Sequence, residues 1–412
     1  MQGKKIHYAW FTLIGSMITV FCCIGLGANA FTAFQPYIIS RNGFTNAQSS
    51  MILTVRSLFA FLGMLFNGFY YKKISYRNGM ALACLTAAVA FVLFGFAKSY
   101  ASYLAAAALL GCGYGLGSMI PCAIVIGNWF QKKRTLALSL CIAVTGLSTF
   151  GIPTLITNTI ESHGLPTAFW GTSAATVVLG ILCWILVRDV PEDKGLTAYG
   201  SDDPAVRESF AHKTGVMDRT GWIVMAPVMF FSGIISTTSF VHLTVHAVSS
   251  GYTTQTAALG MTVVGIALTV GKLFFGTYAE KTSTYRANWV NGFFLVAGAL
   301  LCCLFNGNKF LFYAGIGIYG LGFALPTVGC SAWASDLSST DQYAANVRRF
   351  NTLNGAGNLV FSSIPGIIAD RNGGSYKPAY MIFAVMSILL VAGVQFTYRR
   401  LIRKQKSEQS KN

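Results

Sequence analysis

The chain has 412 residues, of which 54% are hydrophobic and only 10% charged. Soluble domains carry about 25% charged residues, so a soluble domain of this length is excluded, and an aromatic content of 14% excludes disorder. The net charge of +17 is spread in short basic runs between apolar stretches, an arrangement that argues against nucleic acid as a partner.

In chain order, apolar runs long enough to cross a bilayer (about 20 residues each) fall near 8–38, 47–71, 79–98, 102–129, 135–160, 166–188, 220–248, 256–280, 287–306, 310–335, 347–369 and 378–398. They predict an all-α integral membrane protein with twelve transmembrane helices in two pseudo-symmetric six-helix bundles. The bundles are expected over 1–188 and 220–399. A polar linker with Pro191, Glu192, Asp193, Asp202, Asp203 and Pro204 occupies 189–219, and a tail occupies 400–412. The first run, from Tyr8 to Ile39, is too long for the apolar core of a signal peptide.

With the N-terminus placed in the cytoplasm, the inside segments hold 23 Lys and Arg and the outside loops five. This positive-inside bias puts both termini in the cytoplasm of a multi-pass cell-membrane protein. The short loops suggest a bacterial inner membrane. The ten cysteines all lie in apolar stretches, without a CxxC pair or a Cys/His cluster at ligand spacing, so no metal site and no cofactor are expected. P-loop, HExxH and GxSxG motifs are absent, which disfavours ATP-driven pumping and an enzyme.

The halves repeat. Tyr114-Gly115-Leu116-Gly117 is followed by Pro121, and Tyr319-Gly320-Leu321-Gly322 by Pro326, at an offset of 205. Gly43-Phe44-Thr45 with Gly68 matches Gly251-Tyr252-Thr253 with Gly276 at an offset of 208. Glycine faces allow close helix approach in lipid, and Pro121 and Pro326 can kink their helices. Gly68, Lys73 and Arg77 after span 2, and Gly276, Glu280 and Lys281 after span 8, form the candidate conformational-switch loops.

These loops resemble the GxxxDRxGRR motif of the major facilitator superfamily, with Lys72 and Ser75 as departures in the first copy and Ser283 in the second. The stretch Asn128-Trp129-Phe130-Gln131-Lys132-Lys133-Arg134-Thr135-Leu136-Ala137 is similar to the WFxxRRxLA segment of the monocarboxylate transporter and oxalate/formate antiporter branch. So are Gly366-x-x-x-Asp370-Arg371 and the run from His242 to Gly276. The resemblance spans nearly the whole chain outside linker and tails. It implies a secondary transporter of a small organic anion, a monocarboxylate before a dicarboxylate, working by proton symport or anion exchange. It implies Lys272 at the position where that branch carries a carboxylate-binding Arg. The second basic residue expected in span 11 near Gly357 is missing.

Arg56 and Lys272 are the two basic residues inside spans. A charge there costs about 2.5–3.5 kcal/mol on insertion scales and marks a ligand path. One cation from each half would attract an anion, while packing or snorkelling is the structural alternative for either residue. No Asp or Glu lies mid-span, so a cationic substrate is disfavoured. Gln35, Tyr114, His242 and Asn354 complete the candidate substrate-binding set. The expected partners are a small anion, protons or a counter-anion, and the bilayer, with the chain a monomer. A non-transporting membrane sensor is the alternative of another class.

Overall fold

The computed structural model describes residues 7–44, 46–150, 152–201 and 215–409. The chain divides into two compact units, Met1–Ala211 and His212–Asn412. The described residues are helical apart from loops and one isolated bridge between Phe130 and Tyr199.

In the first unit, α1 (Ala9–Val20) runs into a π-helical stretch, Phe21–Asn29, and a 3-10 turn, Ala30–Ala33, before α2 (Gln35–Asn42). There follow α3 (Asn46–Lys73), α4 (Tyr76–Phe96), α5 (Tyr100–Leu116), α6 (Met119–Trp129), α7 (Arg134–Leu147), α8 (Ile152–His163) and α9 (Leu165–Leu186). The second unit repeats the pattern. Its α10 (Arg219–Gly233) passes into a π-helical stretch, Ile234–Ser239, and then α11 (Leu243–Ser249). After these come α12 (Thr254–Lys281), α13 (Thr284–Cys303), α14 (Lys309–Gly322), α15 (Ala324–Leu337), α16 (Tyr343–Phe361), α17 (Ile364–Arg371) and α18 (Lys377–Gln409).

Among the described residues, ten helical segments are long and apolar enough to cross a bilayer. They coincide with all the expected spans except the fifth and eleventh. Those two are each divided into a pair of helices, α7–α8 and α16–α17. Proline explains where the second pieces begin: Pro153 and Pro365 occupy the second residue of α8 and α17, where the missing N–H is harmless. Ser148 and Thr149 end α7 by donating back to the carbonyls of Thr145 (2.6 Å) and Gly146 (2.7 Å).

The fourth and tenth spans are broken as well, directly after the repeated Tyr-Gly-Leu-Gly. Gly117 closes α5, and Ser118 opens α6 by accepting from the Ile120 N–H at 3.4 Å. The carbonyls left over at this break are met from α3. Asn67 Nδ2 donates to Gly115 (3.4 Å) and Leu116 (3.3 Å), and the Tyr71 hydroxyl donates to Leu116 at 3.0 Å. In hydrocarbon each unmet carbonyl is costly, so the break depends on these partners.

Glycine sets the helix spacing. A Cβ on Gly115 would strike the Ala60 carbonyl, and one on Gly63 would come within 3.0 Å of Gly115, so α3 and α5 touch backbone to backbone. In the second unit a Cβ on Gly271 would strike the Leu321 carbonyl, and one on Gly320 would meet Ala267 at 2.8 Å, bringing α12 against α14. With little hydrophobic drive between helices in lipid, this close approach supplies the packing.

The start of the expected linker packs on the first unit. The Tyr199 N–H donates to Trp129 (2.8 Å), while the Gln131 and Lys132 N–H groups reach the Tyr199 carbonyl at 3.1 Å. Trp129 Nε1 donates to Arg188 at 2.8 Å, so the Trp-Phe motif fastens the chain that follows span 6. At the other end, α18 continues through the residues expected as a tail, as far as Gln409. Arg400 holds Asp218 with two hydrogen bonds (2.8 and 3.2 Å), and Lys404 Nζ donates to the Gly215 carbonyl at 3.0 Å.

Candidate substrate site

The first unit places Arg56 on α3, partly buried, with Nη1 donating to the Gly27 carbonyl at 3.1 Å. Gly27 belongs to the π-helical stretch of span 1. The guanidinium also lies over the Phe31 ring, 5.7 Å from its centroid, and within electrostatic reach of Tyr114 on α5. The same stretch is tied to the end of α7, where Asn29 Nδ2 donates to Thr145 (3.1 Å) and Ser148 (3.5 Å). Arg56 and Tyr114 are therefore brought together. Gln35 starts α2, and its side chain lies outside the described residues.

The second unit buries Lys272 to 2% exposure within α12, one residue beyond the Gly271 contact with α14. Its repeat counterpart at the 208 offset is Met64, and that of Arg56 is Val264. The two cations thus occupy different registers of their repeats, eight residues apart, or about 12 Å of helix rise.

Asn354 on α16 sits where span 7 crosses span 11. A Cβ on Gly233 would strike the Asn354 carbonyl, and one on Gly357 would strike Phe230. Asn354 Nδ2 donates to Ser232 Oγ (3.2 Å), and Ser232 donates to the Pro326 carbonyl (2.7 Å). Around the π-helical stretch, Thr238 Oγ1 donates to Asn358 (3.3 Å), Ser239 Oγ pairs with the Tyr319 hydroxyl (2.9 Å), and the Tyr380 hydroxyl donates to Ser239 (2.6 Å). π-Helical turns occur frequently at functional sites, and here each unit has one at its first span, bordered by side-chain amides and hydroxyls.

His242 and His246 are fastened separately. His242 Nε2 donates to the Ser362 carbonyl at 3.0 Å and its ring stacks on Tyr376. His246, one helical turn beyond His242, is 1% exposed. It donates to the Cys302 carbonyl at 2.8 Å and lies against Tyr380, 4.0 Å between centroids, and Phe305, 5.3 Å. Rings from spans 9 and 12 cover this turn of the helix.

The switch-loop residues are distributed as follows. Gly68 and Lys73 lie in the last turns of α3, with Lys73 over the Phe69 ring. Arg77 lies in the first turn of α4, its guanidinium over the Trp184 ring at 4.1 Å from the centroid. The Asp189 carboxylate accepts from the Tyr76 and Arg77 N–H groups at 2.7 and 2.8 Å, capping α4. Gly276, Glu280 and Lys281 lie in the last turns of α12. Ser232, Asn67, Tyr71 and Tyr380 were not singled out in the sequence. A hydroxyl or amide inside an apolar run was the available signal, and it does not distinguish a helix-to-helix bond from a ligand contact.

Two bundles of apolar helices with paired helix breaks and duplicated glycine contacts define a polytopic carrier architecture. The Major Facilitator Superfamily model matches residues 17–347 and 259–412, and the chain belongs to that superfamily of transporters. Among curated proteins it is similar to "Monocarboxylate transporter 12" of Mus musculus, at 23% identity over 97% of this chain and 87% of that one. It is also similar to the MFS-type transporter YhjX of Escherichia coli, at 24% over 76% and 77%. Among solved structures it resembles the transporter FucP in the outward conformation, with a TM-score of 0.70, 15% identity, and coverage of 95% and 99%. The proton:xylose symporter XylE gives 0.71, 12%, and 93% and 94%. These two likenesses establish the fold.

Proposed function

We propose that this transporter moves a small organic anion, a monocarboxylate, by alternating access, coupled to a proton or to a counter-anion. The observation that carries the proposal is Lys272. It is 2% exposed within a membrane span, in a chain with no Asp or Glu in the middle of any span. A cation kept in such a place is expensive and typically serves a ligand or ion path. An ammonium offers a carboxylate a compact charge without the planar fork of Arg. Arg56 supplies a second intramembrane cation in the other repeat, and Tyr114 and Asn354 supply neutral donors. The curated relatives named as monocarboxylate transporters support the substrate class. The distribution of Lys and Arg supports cytoplasmic termini.

The test is uptake into proteoliposomes of labelled lactate, formate, oxalate and a neutral sugar, with and without an inward proton gradient. Gradient-driven lactate or formate uptake that Lys272→Ala removes supports symport. Uptake that requires an internal anion selects exchange, and oxalate in place of the monocarboxylates selects the dicarboxylate reading. Carboxylate uptake untouched by loss of both Arg56 and Lys272 overturns the proposed anion site.

A further inference from the structure

Outside the candidate site, α4 and α9 of the first unit enclose a groove of 280 Å³. Its floor is Ala81 and Gly180, and Leu85, Val177 and Ile181 form its walls. The small floor residues make the depth, and the walls are open to the surroundings: Leu85 is 47% and Ile181 54% exposed. On a polytopic protein such a surface meets lipid.

The groove is not apolar at both ends. Asn78 and Trp184 form one end, joined by a 2.9 Å hydrogen bond from Trp184 Nε1 to Asn78 Oδ1. The Arg77 guanidinium lies over the Trp184 ring, 4.1 Å from its centroid, and its Nε donates to the Trp184 carbonyl at 2.8 Å. These bonds fix the guanidinium in place while its two Nη groups have no partner among the described residues. Asn78 Nδ2 is a further donor there. The nearby Asp189 carboxylate is engaged by the N–H groups of Tyr76 and Arg77. An indole at the polar end of an apolar groove, with a fixed guanidinium above it, matches the division between headgroup and acyl chain.

We propose that this groove is a binding site for one anionic phospholipid. An acyl chain lies between α4 and α9, and the phosphate accepts from the Arg77 fork and Asn78. Guanidinium suits the phosphate because it presents parallel donors. A neutral zwitterionic lipid fills the apolar part equally well but gains less from Arg77.

Native mass spectrometry of the full chain tests this, after equilibration with equimolar phosphatidylglycerol and phosphatidylcholine of identical acyl chains. One phosphatidylglycerol per chain should be retained in preference. Arg77→Gln should reduce the preference about fivefold, the worth of one basic residue near an anionic membrane surface. Ala81→Phe, which fills the floor, should reduce retention with Arg77 intact. Val177→Phe from the opposite wall serves the same purpose if Ala81→Phe is not monodisperse. Equal retention of the two lipids overturns the proposal. So does a preference unchanged by Arg77→Gln, or retention of glycerol phosphate alone that groove filling leaves intact.

Discussion

Arg56 donates its 3.1 Å hydrogen bond to Gly27, a residue of the π-helical stretch in span 1. The intramembrane cation of span 2 is thus attached to the irregular backbone of span 1. Arg56→Met, of similar length, should leave the Gly27 carbonyl without this donor and lower stability by about 1–3 kcal/mol. Arg56→Gln, which retains an N–H donor, should lose less. Thermal unfolding of the detergent-solubilised protein ranks the variants. Equal midpoints for Met and wild type would show that the bond does not hold the stretch.

Replacing Lys272 tests function apart from folding. Lys272→Met keeps the length and apolar stem of the side chain within α12. We expect a monodisperse, folded protein whose carboxylate uptake falls by at least tenfold, the scale of one charge-assisted hydrogen bond. Wild-type uptake in the Met variant would remove Lys272 from the transport path.

Glycine substitutions should divide by location. Gly233→Ala places a methyl group against the Asn354 carbonyl and should destabilise by about 1–3 kcal/mol. Gly171→Ala, on α9 with nothing within 4 Å of the new Cβ, should stabilise by about 0.5–1 kcal/mol through helix propensity. Paired thermal melts check both signs at once.

Asp218 gives the first span of the second unit an acid limit. The hydrogen bond from Arg400, and then the Gly221 N–H, hold its carboxyl below the usual carboxylate range. A carboxyl depressed on folding stabilises only while ionised. Its contribution is complete above about pH 4, the unfolded value, and is lost as pH falls through the lower folded value. At 59% exposure the pair is worth less than about 1 kcal/mol after solvent screening. Arg400→Ala should lower the melting temperature slightly at pH 7 and leave it unchanged near pH 2. A loss that is equal at both pH values would assign the effect of Arg400 to packing.

The sequence carried ten of the spans and the sites of the duplicated helix breaks because these follow from apolar length and from Gly and Pro at particular places. The divisions of spans 5 and 11 were also written there, in Pro153 and Pro365, but an uninterrupted apolar run concealed them. The π-helical stretches share no sequence signal: Phe21–Asn29 is largely apolar, while Ile234–Ser239 carries four hydroxyl side chains. Arg56 and Lys272 stood out as charges in apolar runs. The capping of Gly115 and Leu116 by Asn67 and Tyr71 required the neighbour in space. The burial of His246 depends on rings nearly 60 and more than 130 positions away, at Phe305 and Tyr380.

The paired first halves of spans 4 and 10 differ in length: α5 has 17 residues and α14 has 14. Three residues are close to one helical turn of 3.6, and both Gly115 and Gly320 still face their partner helices. Losing a turn shortens the rod and preserves its facing side. A one-residue or two-residue deletion in α5 would rotate Gly115 out of register with α3. Tolerance to insertion and deletion along these two helices should accordingly be periodic, with survivors at three or four residues and losses between.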